Sequence, residues 1–274
     1  MNDIRLLALD MDGTLLDKRK RITPRVKKAL EALDARGVFV AAGTGRGLAE
    51  MDDILRELPF MRWGFLVSGA HIFDFAFSRT LEMRPMSDAH VASCLDVCRR
   101  EDAMPHFLTE RESVVRADQI GHLKDFSHAA HQAAFERICL RVDDMDAYAR
   151  SHSGGILKVC MYHRDPEGRV RSLRALEGTG MDLKFSGRTS LEAVAPGIDK
   201  GEGLRRLASF LGIRPEECAA VGDGENDLEM LRAAGLSAAM DSAPDSVRAE
   251  ADIVVPDSDH DGVAEAVRLF FGEG

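Results

Sequence analysis

A doubly wound α/β core with a parallel sheet, interrupted by an inserted α+β domain, is the fold class that this sequence predicts. Three observations predict it. Short apolar runs at residues 4–9, 38–42 and 65–67 alternate with helical stretches; that rhythm breaks near Arg84; and it returns near Leu191. Strands buried on both faces and joined by helices belong to parallel sheets with right-handed crossovers.

The elements follow in chain order. Residues 4–9 form a buried strand that runs straight into Asp10. Thr23-Pro24 opens a helix to Ala35, with Thr as N-cap and Pro in the first turn, and Gly37 stops it. A second strand at 38–42 leads through Gly43-Thr44-Gly45-Arg46-Gly47 into a helix over 48–58, and a third strand at 65–67 ends in Ser68-Gly69-Ala70. The inserted region reads as a helix (87–100), paired strands (105–109, 113–116), a His-rich stretch of undefined structure, a strand (156–163), a helix (167–177) and a further strand (183–185). The core then resumes with a strand at 191–194, Gly197-Ile198-Asp199-Lys200 and a helix to Leu211. An apolar run at 218–221 enters Gly222-Asp223-Gly224-Glu225-Asn226-Asp227, followed by a helix over 228–234 and strands at 237–239 and 253–255. The expected division is a Rossmann-like core from residues 1–83 and 191–274, with 84–190 as the insert.

The 274 residues suffice for two domains, and 45% hydrophobic with 30% charged residues is ordinary globular composition. Acidic residues outnumber basic ones by 46 to 36, a net charge of −10 that opposes nucleic-acid backbones and anionic membranes. A phosphorylated small molecule remains open as a partner, because a cation and one lysine reverse the field locally. The five cysteines show no paired metal or redox spacing, and no apolar run approaches the roughly 20 residues of a membrane span. The expectation is a soluble, unexported, cytoplasmic protein with reduced thiols; the sequence is silent on its oligomeric state.

Ligands of an open parallel sheet bind beyond the carboxyl ends of its strands. Asp10/Asp12, Thr44, Lys200 and Asp223/Asn226/Asp227 all follow strands. Together they offer carboxylates, a hydroxyl, an ammonium and amides, a set that suits a hard divalent cation beside a phosphate. A carboxylate and a phosphate approach each other only when positive charge offsets their repulsion. Asp10 with Asp223 can hold Mg²⁺; Asp12, two residues on, can protonate a leaving group. Gly13 lets backbone amides approach a phosphate, and Thr44 adds a hydroxyl donor.

Asp10-Met11-Asp12-Gly13-Thr14-Leu15 after an N-terminal strand resembles the first motif of haloacid dehalogenase phosphatases. Thr44-Gly45-Arg46 resembles the second, Lys200 the third, and Gly222-Asp223-Gly224-Glu225-Asn226-Asp227 the fourth, in the family's order. The insert is similar to the type IIB cap of Cof-type hydrolases. The resemblance implies that Asp10 forms a phosphoaspartate and that Asp12 serves as general acid and then base, its backbone carbonyl also facing Mg²⁺. It further implies that Thr44 (with Gly45 and Gly13 beside it) and Lys200 bind the phosphoryl group. Asp223 would ligate the metal, and Asn226 and Asp227 would support phosphate, metal waters or Lys200. Ser68 and Asp241-Ser242 stand where the family commonly has other residues, so the substrate is not fixed by the pattern.

Other readings compete. A calcium loop needs Gly at its sixth position, where Leu15 and Leu228 stand, and a dinucleotide fingerprint needs a third Gly where Leu48 stands. The His122, His128 and His131 group has no completing metal ligands in its pattern. The expected function is Mg²⁺-dependent hydrolysis of a small phosphorylated metabolite. The alternatives are a phosphomutase of the phosphomannomutase type, or a non-catalytic phosphometabolite-binding protein.

Overall fold

The computed structural model describes residues 3–127 and 129–272, so His128 of the histidine group lies outside the described residues. Two compact units are present. One gathers the chain up to Arg46, Asp53–Glu82 and the chain from Asp199 onward; the other comprises Gly47–Asp52 and Met83–Ile198.

Among the described residues, fourteen strands carry the two units. The first five are β1 (Leu6–Leu9), β2 (Phe39–Gly43), β3 (Trp63–Leu66), β4 (His71–Asp74) and β5 (Arg79–Met83). Next come β6 (Met104–Thr109), β7 (Ser113–Arg116), β8 (Cys139–Val142), β9 (Ile156–Tyr162), β10 (Asp182–Phe185) and β11 (Ser190–Val194). The last are β12 (Cys218–Gly222), β13 (Leu236–Met240) and β14 (Ile253–Val255).

The first unit holds an eight-stranded sheet in the order β14-β13-β12-β1-β2-β3-β4-β5. Pairing is parallel from β14 through to β3, and β4 then turns back antiparallel to β3. That reversal follows from the sharp turn at Val67–Gly69, too short for a crossover helix. All four residues of β1 are buried. Leu6 and Ala8 pack against Phe65, Met230 and the inner face of the Lys200–Leu211 helix, chiefly Leu204 and Leu207. Each such leucine contributes about 1.5–3 kcal/mol of burial, which fixes the strand that ends in Asp10. A helix at Pro24–Ala35 starts as its sequence predicts, with the Thr23 hydroxyl accepting from Val26 N–H at 3.3 Å.

The second unit holds a six-stranded sheet, β10-β11-β9-β6-β7-β8, antiparallel except for the β7–β8 pair. One face packs on the Asp88–Arg100 helix, where Val91, Cys94, Leu95 and Cys98 meet Phe107, Val159, Met161 and Leu191. On the other, Cys160 and Tyr162 pack with Phe126 and Phe135. The alternation along β9 is the period-2 signature of a strand covered on both sides. Cys94 and Cys98 are one turn apart on the helix face, as their spacing predicts, and all five cysteines are buried free thiols.

Several expectations are corrected. The strand at 191–194 belongs to the second unit's sheet, because β11 pairs with β9 and β10 there, and the boundary falls between Ile198 and Asp199 instead of at 190/191. Residues 48–58 are not one helix: Leu48–Glu50 is a tight turn, with Gly47 N–H donating to the Glu50 carboxylate at 2.6 Å, and a short helix follows at Asp52–Glu57. The undefined stretch contains a 3₁₀ segment (Ile120–Phe126) and a helix (Gln132–Ile138) leading into β8. Among the described residues no helix is long and apolar enough to cross a membrane.

Candidate active site

The sheet register brings the motif residues to one edge. Leu9 of β1 lies opposite Ala42 of β2 on one side and Val221 of β12 on the other. Asp10 therefore extends β1 beside Gly43 and Gly222, and Thr44 and Asp223 come one residue further on. Gly43 has a reason to be glycine, since a Cβ there would come within 2.4 Å of the Phe65 ring.

Lys200 closes the arrangement. Asp199 caps its helix by accepting from Glu202 N–H at 2.8 Å, so the lysine occupies the first helical position. Its Nζ donates to Asp10 Oδ1 at 2.5 Å and Asp227 Oδ1 at 2.6 Å, and the side chain is fully buried. The turn after β3 abuts the same helix end: a Cβ on Gly69, which stands at φ +102°, would come within 2.3 Å of the Asp199 carbonyl. Val67, Ser68 and Gly69 all have positive φ. Such a run is unfavourable for L-residues and persists only where the surroundings enforce it.

Asp10, Asp223 and Asp227 can each bring a carboxylate oxygen within 4.8 Å of the others. Burial pushes the Asp10 carboxyl up to about 8; Lys200 pulls it down and the Asp227 and Asp223 charges push it up further. Burial likewise raises Asp223, aided by Asp227 and opposed by the hydroxyl of Thr14, which donates to Asp223 Oδ1 at 2.9 Å. Lys200 is held above its usual range by the two carboxylates, against the effect of burial. Three acidic groups thus share one ammonium. Their all-oxygen donor set and excess negative charge suit a hard divalent cation. Gly13 lies alongside at φ +91°, where a Cβ would come within 2.3 Å of Asp223 Oδ2.

The carboxylate of Asp227 is already engaged. Oδ2 accepts from Asp223 N–H at 3.0 Å and Gly224 N–H at 2.9 Å, while Oδ1 accepts from Lys200. It ties the β12 turn to the lysine, which leaves Asp10 and Asp223 as the better placed metal ligands. Asp12 stands outside this group. Its carboxylate accepts from Arg46 Nε at 2.7 Å and Arg46 NH2 at 2.6 Å, and from Lys20 Nζ at 2.6 Å. Burial works against its ionisation, but these hydrogen bonds and charges prevail and hold the carboxyl well below the usual range.

Thr44 is buried and its hydroxyl accepts from Arg46 N–H at 3.2 Å; Gly45 is half-buried beside it, and Asn226 is exposed on the Glu225–Asp227 turn. Sequence reasoning placed Asp10, Asp223, Asp227 and Lys200 together, and the structure does so. It missed Thr14, Arg46 and Lys20 as partners of the site's carboxylates. Thr14 and Arg46 sit inside the quoted motifs, which was the available signal; Lys20 had none.

A doubly wound sheet with carboxylates, a hydroxyl and a buried lysine at its carboxyl edge defines a class of hydrolases. The chain belongs to the haloacid dehalogenase-like hydrolases, whose family model matches residues 7–267. It is 28% identical over 266 residues to the 5-amino-6-(5-phospho-D-ribitylamino)uracil phosphatase YcsE of Bacillus subtilis, covering 97% of this chain and 95% of that one. It is 30% identical over 249 residues to an HMP-PP phosphatase of Cronobacter sakazakii, covering 90% and 87%. Among solved structures, the haloacid dehalogenase subclass IIB sugar phosphatase BT4131 shares the fold, with a TM-score of 0.82, 22% identity, and coverage of 97% and 98%. The protein is thus an enzyme, a hydrolase of this family.

Proposed function

We propose that the protein is a magnesium-dependent phosphatase that hydrolyses a small phosphorylated metabolite through a phosphoaspartate on Asp10. The observation that carries this reading is the meeting of Asp10 and Asp223 carboxylates beside Lys200, from segments some two hundred residues apart. The named phosphatases among its relatives support the substrate class.

Asp10 and Asp223 would hold Mg²⁺, with Asp12 offering its backbone carbonyl and Asp227 supporting from behind. When bound, the ion supplies positive charge that keeps Asp10 ionised and offsets its repulsion from the phosphate. Asp10 attacks phosphorus in line with the ester oxygen. Lys200 orients the nucleophile and balances charge on the phosphoryl oxygens, to which Thr44, Gly45 and the Gly13 backbone add hydrogen-bond donors, with Asn226 at the rim. Asp12 gives a proton to the leaving oxygen and later takes one from the water that cleaves the acyl phosphate. Since Asp12 is held ionised by Arg46 and Lys20, at least one of those contacts loosens when it carries the proton. Substrate choice is assigned to the unit built around Met83–Ile198.

Phosphate release from p-nitrophenyl phosphate tests the reading. It is expected with Mg²⁺, lost with EDTA, and lost in Asp10→Asn. Turnover by Asp10→Asn in EDTA would overturn it.

A further inference from the structure

We infer that the second unit carries a binding site for an aliphatic diamine, in a cleft of about 250 Å³ lined from the end of the Asp88–Arg100 helix and the start of the Met145–Ser151 helix. The cleft lies wholly within that unit and shares no residue with the Asp10 edge. Part of its lining is apolar: Leu95, Ala103 and Met145 are buried members of the unit's core. The polar part is short of donors. Two guanidiniums line it, but each is turned to carboxylates beside it. Arg116 donates through Nε and NH2 to Asp118 at 2.6 and 3.0 Å, and Arg99 donates to Asp146 at 2.6 Å and to Asp96.

Acceptors are left over. The Asp143 side chain makes no hydrogen bond or ion pair with any described residue, and Asp102 spends only Oδ2, which accepts from Arg164 Nε at 2.7 Å. Gln119 also lines the cleft. It is 7% exposed, and its Oε1 is buried with no hydrogen-bond partner among the described residues. Buried polar groups in native proteins are almost always paired, so an amide oxygen without a donor points to a partner that arrives from outside the chain. Four carboxylates (Asp102, Asp143, Asp144 and Asp146) against two guanidiniums leave the lining with a formal excess of two negative charges. A single metal ion does not match that excess. Among the described residues only Asp10, Asp223 and Asp227 bring three acidic, His or Cys ligands close enough to share an ion. Spread negative charge beside an apolar wall fits a short chain of methylenes with an ammonium at each end. Its ammoniums supply the donors that Asp143, Asp102 and Gln119 lack, and its methylenes cover Leu95, Ala103 and Met145.

Isothermal titration calorimetry of the whole protein with 1,4-diaminobutane, in buffer containing Mg²⁺ to compete at the Asp10 cluster, tests the site. One equivalent should bind, with 1-butylamine about 10-fold or more weaker and 1,4-butanediol giving no heat of binding. Asp143→Asn and Gln119→Met should each weaken the diamine about 10-fold or more. Glu31→Gln removes an exposed charge of the first unit and should leave the affinity within about twofold, because distant surface charges are screened. Gln119→Met also separates binding from a structural role. Without amine its thermal midpoint should stay level or rise, since an unpaired polar atom gives way to an apolar one. No saturable binding, unchanged affinity in either site variant, an equal loss in Glu31→Gln, or a lowered midpoint of amine-free Gln119→Met would overturn the inference. The readout is binding and stability, so failure here leaves the phosphatase reading untouched, and failure of that reading leaves the cleft as it is.

Discussion

Lys200 and Asp227 form an ion pair of 2.6 Å with essentially no exposed side-chain surface on either partner, and the same ammonium reaches Asp10 at 2.5 Å. Removing one partner of a buried pair leaves an uncompensated charge, at about 3–5 kcal/mol. Lys200→Met is therefore expected to lower the thermal midpoint strongly in EDTA, with Mg²⁺ recovering part of the loss. Differential scanning calorimetry with and without Mg²⁺ checks this; a midpoint unmoved in EDTA would contradict it.

The Asp10 carboxyl gives the metal-free protein a pH dependence of definite sign. Its affinity for a proton is raised from 3.8 to about 8 on folding. Between those values the folded protein keeps a proton that the unfolded chain has released, so stability falls as pH rises through the window and levels off above it. Urea unfolding in EDTA should show this decline, and Asp10→Asn should be flatter over the same range. Equal slopes for the two proteins would argue against it.

Gly13→Ala tests the packing of the site without replacing a charged group. The new methyl would lie within 2.3 Å of Asp223 Oδ2, on a backbone at φ +91°. Displacing that carboxylate should raise the Mg²⁺ concentration needed for half-maximal activity by about 10-fold or more, equivalent to about 1.4 kcal/mol. Titrating activity against Mg²⁺ reads this directly.

In the second unit, Lys158 donates to Glu192 at 2.6 Å from a fully buried position on β9. Lys158→Met should destabilise the protein by about 3–5 kcal/mol, and the double change Lys158→Met with Glu192→Leu by much less. A double-mutant cycle by urea denaturation checks the coupling. Additive losses would mean that the two side chains act independently.

Much of the core was legible because its information is local. Apolar runs ending in Asp10, Gly43 and Gly222 read as buried strands, and each polar residue following them reads as a ligand by topology alone. Lys200 could be placed only by its order among the motifs, since the strand that precedes it, β11, belongs to the other sheet. The allegiance of β11 was not legible: a short apolar strand fits either sheet, and only its pairing with β9 decides. Lys20 and Arg46 escaped for a different reason. Their partner, Asp12, is set by long side chains crossing a turn, and no periodicity records where such chains end. The broken helix after Gly47 depended on one side-chain to backbone bond, from Gly47 N–H to Glu50.

The placement of β1 between β2 and β12 also dictates when, during synthesis, the enzyme can become one. The second unit contains every strand partner of its own sheet and is translated before β12 emerges, whereas β1 waits for a neighbour encoded more than two hundred residues later. A ribosome-bound chain lacking that segment holds Asp10 without Asp223 or Asp227 opposite it. The carboxylate cluster of Asp10, Asp223 and Asp227 therefore assembles only once β12 has joined β1, a consequence of strand order alone.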